Sequence, residues 1–248
     1  MARQGGEDLS AGSAALARRI DHTLLRPDAT RADIERLCEE AARFGFHAVC
    51  VAPVWVADAA RLLPPEVAVC SVAGFPLGSS LPEIKADEAV AAIESGASEI
   101  DLVMQIGWLL EAVPRGGHSP IDEAGLEDVA REIKLVRTAL RAARSRTPPA
   151  QRVLKVIIET ALLDERQKTV AARTAADAGA DFIKTCTGFS GGGATVADIA
   201  LLRTAVGGRA QLKASGGIRD RASALALIEA GADRLGCSAS VAIVGQDA

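Results

Sequence analysis

Residues 178–185 read Ala-Gly-Ala-Asp-Phe-Ile-Lys-Thr, a glycine turn that leads into a short apolar run containing one lysine. Similar turns occur at 95–98 and 230–233, and a looser version at 44–47, each time between a helical pattern and a strand-like run. Glycine readily takes the left-handed conformation with which many helices end before a short loop. The repeated turn therefore predicts a chain in which helices and strands alternate.

The alternation extends from about residue 20 to the end of the chain. Strand-like runs are predicted at 19–24, 47–52, 67–72, 99–104, 152–159, 181–185, 211–215 and 233–238, with helical patterns such as 30–44, 82–95, 125–144, 164–178, 196–206 and 219–230 between them. Strict alternation favours parallel strands joined by right-handed crossovers. Eight such units predict an α/β protein with a single (β/α)8 TIM barrel. An open doubly wound sheet is the alternative, although it more often has five or six strands.

Length and composition restrict the class of protein. The chain has 248 residues, 49% of them hydrophobic, and a net charge of −4. We expect one barrel domain over 16–248, preceded by a flexible or helical segment over 1–15. The acidic balance argues against a nucleic-acid partner, and no apolar stretch has the length of a signal peptide or a membrane span. Five cysteines without CxxC spacing indicate reduced thiols and a cytoplasmic protein.

Lysine is rare in this chain and is placed selectively. There are six lysines and twenty-two arginines, yet Lys155, Lys184 and Lys213 each lie in the middle of an apolar strand-like run. Arginine would serve a structural ion pair at least as well, whereas only lysine can lose its proton and attack a carbonyl to form an imine. The pattern therefore indicates a need for an amine.

Strand parity places charged residues in one interior. Alternate residues of a barrel strand point inward, so if the lysines do, the apolar residues beside them face the helices. The same parity turns Asp101 and Asp21 inward, and five charges should then meet. A structural ion network that holds the strands in register remains the alternative for any one of them.

Glycine-rich loops follow the last three predicted strands. Gly188 follows the sixth strand, Gly216 and Gly217 follow the seventh, and Ser238 closes the eighth. Late loops of such barrels often bind phosphate through backbone N–H groups. We therefore predict a phosphate site at these residues. The scattered histidines show no ligand spacing, so neither a metal nor another cofactor is expected.

Several segments together resemble the bacterial-type class I deoxyribose-phosphate aldolases. They run in the order of that family over roughly residues 19–245, and they read IDHTLL at 20–25, GFPLG at 74–78, EIDLV at 99–103, LKVIIET at 154–160, DFIKT at 181–185, TGF at 187–189 and KASGGIR at 213–219. The resemblance implies a lyase that reversibly cleaves 2-deoxy-D-ribose 5-phosphate to D-glyceraldehyde 3-phosphate and acetaldehyde in deoxyribose phosphate catabolism. It further implies a homodimer that needs no metal.

The resemblance also implies roles for individual residues. Lys184 falls on the Schiff-base lysine of the family, Lys213 on its second catalytic lysine and Asp101 on its proton donor and acceptor. Lys184 must be neutral to attack an aldehyde, and burial beside the ammonium of Lys213 would favour the neutral amine. We expect supporting or substrate-binding roles for Asp21, Lys155, Thr185 and Cys50.

Two other functions stay open at this stage. A class I aldolase for another phosphosugar would share the lysine and the glycine loops. A catalytically inert barrel that senses sugar phosphates would share the loops, although it would be expected to have lost Lys184, Lys213 or Asp101.

Overall fold

The structure is an eight-stranded parallel barrel, as the sequence predicts. A computed structural model of the chain describes residues 12–117, 119–145, 148 and 151–245. Each strand pairs with the next, and the eighth pairs with the first, so that the sheet closes. The strands are β1 (Ile20–Leu24), β2 (Ala48–Val51), β3 (Ala68–Ala73), β4 (Glu99–Val103), β5 (Val153–Ile157), β6 (Phe182–Lys184), β7 (Gln211–Ser215) and β8 (Arg234–Cys237).

Helices connect the strands and form the outer layer. They are α1 (Gly12–Ala17), α2 (Arg31–Phe44), α3 (Val56–Leu62), α4 (Pro82–Glu94), α5 (Ile106–Ala112), α6 (Glu123–Ala142), α7 (Glu165–Asp177), α8 (Val196–Val206), α9 (Arg221–Glu229) and α10 (Ser240–Val244). The short helices α3, α5 and α10 are absent from the sequence prediction, because two turns or fewer give little periodicity. Helix α1 begins within the segment over 1–15 that is predicted to be flexible or helical. Within the described ranges, no helix is long and apolar enough to cross a membrane.

Local capping explains where the main helices begin and end. Thr30 and Asp33 form a reciprocal capping box at the start of α2, and Asp164 with Gln167 forms another at α7. Gly45 ends α2 in the left-handed conformation, with φ of 67° and ψ of 39°. These short turns return the chain directly to the next strand.

The parity prediction is confirmed. Leu154, Val156, Ile183 and Leu212 are fully buried in the main hydrophobic core between strands and helices. The barrel interior instead contains charged side chains. The predicted N-terminal segment, 1–15, lies outside the described residues as far as residue 11, as do residues 246–248 at the other end.

Candidate active site

Asp101 is at the centre of the charged interior. One carboxylate oxygen, Oδ2, lies 2.8 Å from Lys184 Nζ and 2.8 Å from Lys213 Nζ, and the other, Oδ1, lies 2.9 Å from Lys155 Nζ. The strand register creates this meeting, since Asp101 is level with Lys155 across β4 and β5 and Lys184 is level with Lys213 across β6 and β7. The four predicted side chains are thus brought together.

Asp21, Glu99 and Arg234 extend the network of ion pairs around Asp101. Asp21 Oδ2 lies 2.5 Å from Lys213 Nζ, and Glu99 Oε2 lies 2.5 Å from Lys155 Nζ. Arg234 Nη1 reaches Asp21 Oδ1 at 2.8 Å. The sequence prediction missed Glu99 and Arg234, although Glu99 is two residues before Asp101 on the same strand and shares its inward parity.

The network keeps its acids ionised and two of its lysines charged. Burial alone would raise the pKa of Asp101, but the ammonium groups of Lys155, Lys184 and Lys213 outweigh it and hold that pKa well below its usual range. Lys155 similarly lowers the pKa of Glu99 to about 2 against the effect of burial. Burial would lower the pKa values of Lys155 and Lys213, yet Asp101 and the other carboxylates raise both well above their ordinary value.

Lys184 is the interior lysine that reaches an open cavity. This cavity, of about 400 Å³, lies at the carboxyl ends of β1, β6, β7 and β8 and is lined by Lys184 together with the predicted Gly188, Gly216, Gly217 and Ser238. Lys184 is the last residue of β6 and is 3% exposed, whereas Lys155 and Lys213 are fully buried. The amine and the glycine loops therefore share one binding space.

Two arginines at the cavity were not predicted. Arg26 and Arg219 line it, and both are exposed. Arg26 is already paired with Asp28 and Asp33, at 2.8 and 2.6 Å, so Arg219 is the freer of the two. Each follows a strand end within a few residues, and Arg219 also closes the KASGGIR segment at 213–219.

Thr185 and Cys50, for which we expected supporting or substrate-binding roles, both lie outside the lining of the cavity. The Thr185 hydroxyl donates to the Ser215 carbonyl and accepts from the Ser215 N–H, both at 3.0 Å, so it ties β6 to β7 and does not line the cavity. Cys50 is fully buried and level with Cys70 on the next strand. A hydrogen bond with the Cys70 thiol lowers the pKa of Cys50, while burial raises that of Cys70.

The interior also contains ligand-type side chains that no spacing motif revealed. Within the part of the chain that the structure describes, Cys50, Cys70 and Asp101 place ligand atoms within 4.8 Å of one another, as do Asp21, Cys70 and Glu99. These groups come from different strands, so sequence spacing cannot show them. Lys155 Nζ lies 3.3 Å from Cys70 Sγ and 2.9 Å from Asp101 Oδ1, so a metal ion would have to displace this ammonium.

The arrangement suits covalent chemistry on a carbonyl. Lys184 offers a primary amine at the cavity floor, and Asp101 contacts that amine and also the ammonium of Lys213. A nucleophile with a carboxylate and a second proton donor beside it has the parts needed for imine formation and proton transfer.

Comparison with known sequences gives one consistent result. A family model described as DeoC/LacD family aldolase matches residues 15–243. The chain is 50% identical over 234 residues to the deoxyribose-phosphate aldolase of Halalkalibacterium halodurans, covering 94% of this chain and 96% of the relative. It is 49% identical over 230 residues to deoxyribose-phosphate aldolase 1 of Bacillus licheniformis, covering 92% and 94% respectively.

Solved structures agree with the fold and the family. The aldolase QR15 superposes with a TM-score of 0.82 at 34% identity, over 94% of this chain and 95% of its own. The deoxyribose phosphate aldolase of Aeropyrum pernix, described as tetrameric, superposes with a TM-score of 0.77 at 33% identity, over 95% and 92% of the two chains.

Proposed function

We propose that this chain, which belongs to the DeoC/LacD family of aldolases, is a deoxyribose-phosphate aldolase that forms a Schiff base on Lys184. It would reversibly cleave 2-deoxy-D-ribose 5-phosphate to D-glyceraldehyde 3-phosphate and acetaldehyde. The relatives named above carry this activity in their names over nearly their whole length. The observation that carries the proposal is the single amine on the floor of a cavity whose other wall is built from glycine loops.

The reaction begins at the open-chain aldehyde of the sugar. After its ammonium has lost a proton, Lys184 attacks C1 through the neutral amine to give a carbinolamine, which loses water to become an imine. The protonated imine then accepts the electron pair of the C2–C3 bond as the C3 hydroxyl loses its proton. Glyceraldehyde 3-phosphate leaves, and the remaining enamine of acetaldehyde is protonated at C2 and hydrolysed.

Asp101 and Lys213 are our candidates for the proton transfers. Asp101 Oδ2 is within hydrogen-bond distance of both lysine nitrogens, at 2.8 Å each, so one oxygen can pass a proton between them. Lys213 also lies 2.5 Å from Asp21, which keeps it charged and fixed in place. We assign Asp21 and Lys155 to holding Lys213 and Asp101 in these positions.

The phosphate of the substrate would bind at the opposite side of the cavity. Gly188, Gly216 and Gly217 have positive φ values of 87°, 91° and 76°, a conformation that other residues rarely adopt. Such backbone can turn N–H groups toward an anion without side chains in the way. Ser238 and the exposed Arg219 would add a hydroxyl and a positive charge.

A coupled assay that detects glyceraldehyde 3-phosphate tests this function. Purified protein should release it from 2-deoxy-D-ribose 5-phosphate, and Lys184→Arg should not, because a guanidinium stays protonated and forms no imine. Faster cleavage of a longer ketose phosphate would instead support the other phosphosugar aldolase. Binding of sugar phosphates without turnover of either would support the sensor.

We make further proposals about the localisation, partners, metal requirement and oligomeric state of the enzyme. We infer a cytoplasmic protein whose partner is the sugar phosphate and not nucleic acid, and whose reaction requires no metal. We also infer self-association into a homodimer, since Leu81, Ile84 and Trp108 expose 67%, 55% and 38% of their surface around α4 and α5. Light scattering on the purified protein measures the oligomeric state directly.

A further inference from the structure

Glu159 combines a left-handed backbone with a buried acidic side chain and has no role in the chemistry described above. It follows β5 with a left-handed backbone, φ of 53° and ψ of 63°, and it is the one non-glycine residue with positive φ among those that the structure describes. Its side chain is also buried, with 2% exposed. Left-handed backbone is unfavourable for glutamate and persists where the surroundings enforce it, often at functional sites.

The carboxylate of Glu159 binds the loop that follows β6. It accepts a hydrogen bond from the Thr187 backbone N–H, with N···O distances of 3.2 and 3.3 Å to its two oxygens. The Thr187 hydroxyl donates to it at 2.5 Å and the Ser190 hydroxyl at 3.1 Å. The Thr187 hydroxyl in turn accepts from the Phe189 N–H at 3.1 Å. One buried acid thus fixes both ends of the segment 187–190.

This segment forms one wall of the cavity. Thr187, Gly188 and Phe189 line it, whereas Glu159 lies behind them. The N–H groups of Thr187 and Phe189 are engaged as described above, and that of Gly188 between them has no acceptor within the described part of the protein. Holding the neighbours of Gly188 therefore presents one free backbone donor at a defined place.

The same segment is packed against the second glycine loop. A Cβ built on Gly193 would be 2.5 Å from the Gly216 carbonyl oxygen, and one built on Gly188 would be 3.8 Å from Gly216 Cα. The two loops touch through backbone, so the position of 187–193 also sets that of Gly216 and Gly217.

We propose that Glu159 is a positioning residue that gives the enzyme its preference for a phosphorylated sugar, by holding the 187–190 loop in the form that binds the phosphate. The proposal rests on the function proposed above. A carboxylate in contact with a phosphate would repel it, so Glu159 acts from behind the loop and through Thr187 and Ser190. A general role in holding β5 and β6 together would affect all substrates alike.

The experiment compares two sugars in two variants. Glu159→Ala removes the carboxylate, and Glu159→Gly removes it while also relieving the left-handed backbone. Both should lower kcat/KM for 2-deoxy-D-ribose 5-phosphate by roughly 10- to 100-fold, since charge-assisted hydrogen bonds are lost. Both should change kcat/KM for unphosphorylated 2-deoxy-D-ribose by less than about threefold, because that sugar gains nothing from the phosphate loop.

The experiment includes one control variant and one further test variant. Glu165→Ala removes an exposed acid in the first turn of α7 and should leave both values unchanged. Ser190→Ala removes a single donor and should produce a smaller loss with the same selectivity, which keeps the test valid if the Glu159 variants fold poorly. Direct binding of inorganic phosphate to the wild-type protein, measured by calorimetry, should weaken in the variants in parallel with the loss on the phosphorylated sugar.

A failure of the proposed role of Glu159 can be distinguished from a failure of the proposed aldolase function. Trapping of acetaldehyde on Lys184 by borohydride should be unchanged in the Glu159 variants, because acetaldehyde carries no phosphate. Equal losses on both sugars, or no loss on either, would overturn the role of Glu159. Absence of trapping in the wild-type protein would instead refute the aldolase function, and the inorganic phosphate arm would still decide for or against Glu159.

Discussion

Replacing Lys155 by methionine should destabilise the barrel by removing a cation that contacts three buried carboxylates. Lys155 Nζ lies 2.5 Å from Glu99, 2.9 Å from Asp101 and 3.7 Å from Asp21, and its side chain is fully buried. Methionine matches the apolar stem of lysine but brings no charge. Three buried carboxylates would then share the remaining cations.

The expected loss of stability depends on how well the remaining positive charges compensate the three carboxylates. Breaking a buried ion pair from one side costs about 3–5 kcal/mol. Asp101 would retain Lys184 and Lys213, and Glu99 would retain Arg234 at 3.4 Å and His47 at 3.1 Å, so we expect the lower end of that range. For a domain of this size, about 3 kcal/mol corresponds to a melting temperature lower by roughly 6–12 °C.

Thermal unfolding followed by circular dichroism at several pH values measures this loss. The pKa of Glu99 in the folded wild type is about 2, below its unfolded value, so its stabilising contribution is present above about pH 5 and is lost as the pH falls. The difference in melting temperature between wild type and Lys155→Met should therefore become smaller in acid.

Lys134→Met is the matched control, because Lys134 pairs with Glu127 at 3.1 Å and both side chains are about half exposed. Its free energy of unfolding should fall by no more than about 0.5 kcal/mol. A melting temperature within about 2 °C of wild type, or a difference that does not change with pH, would refute the reasoning.

Other predictions concern catalysis and acid stability. Lys213→Leu should lower kcat by about 100-fold or more, since a proton donor beside Asp101 is lost, and an unchanged kcat would make Lys213 a structural charge only. Incubation with a chelator should leave the steady-state rate unchanged, whereas a loss that added zinc restores would contradict an imine mechanism. The wild-type protein should lose stability from about pH 5 downward, because the pKa values of Asp21, Glu99 and Asp101 are all lowered in the folded state; a free energy of unfolding that is constant between about pH 5 and 3 would contradict the cited shifts.

The sequence predicts the barrel from the alternation of strand-like and helical segments, and it predicts the centre of the site from strand parity. All eight strands begin and end within two residues of the prediction. Parity also places Asp101 and the three strand lysines together, since charge in an apolar run is conspicuous. Arg234 escaped notice because arginine is common in this chain.

The sequence did not predict the features that depend on contacts between elements far apart in the chain. Lys85 on α4 is fully buried, where its Nζ lies 2.5 Å from Glu132 on α6, and nothing in its local pattern sets it apart from a solvated helical lysine. The Cys50–Cys70 neighbourhood depends on the register of β2 and β3, which neither strand encodes alone. The left-handed turn at Glu159 contradicts local propensity, and it occurs together with the hydrogen bonds of its carboxylate to the 187–190 loop.

The most direct test of the central claim is mass spectrometry after treatment with acetaldehyde and borohydride. Reduction of the imine should leave a two-carbon group on Lys184 and inactivate the protein, because this is the interior lysine that reaches the cavity. The Lys184→Arg variant should take up no label in the barrel interior. Labelling of Lys155 or Lys213 in place of Lys184, or full activity after complete reduction, would contradict the account.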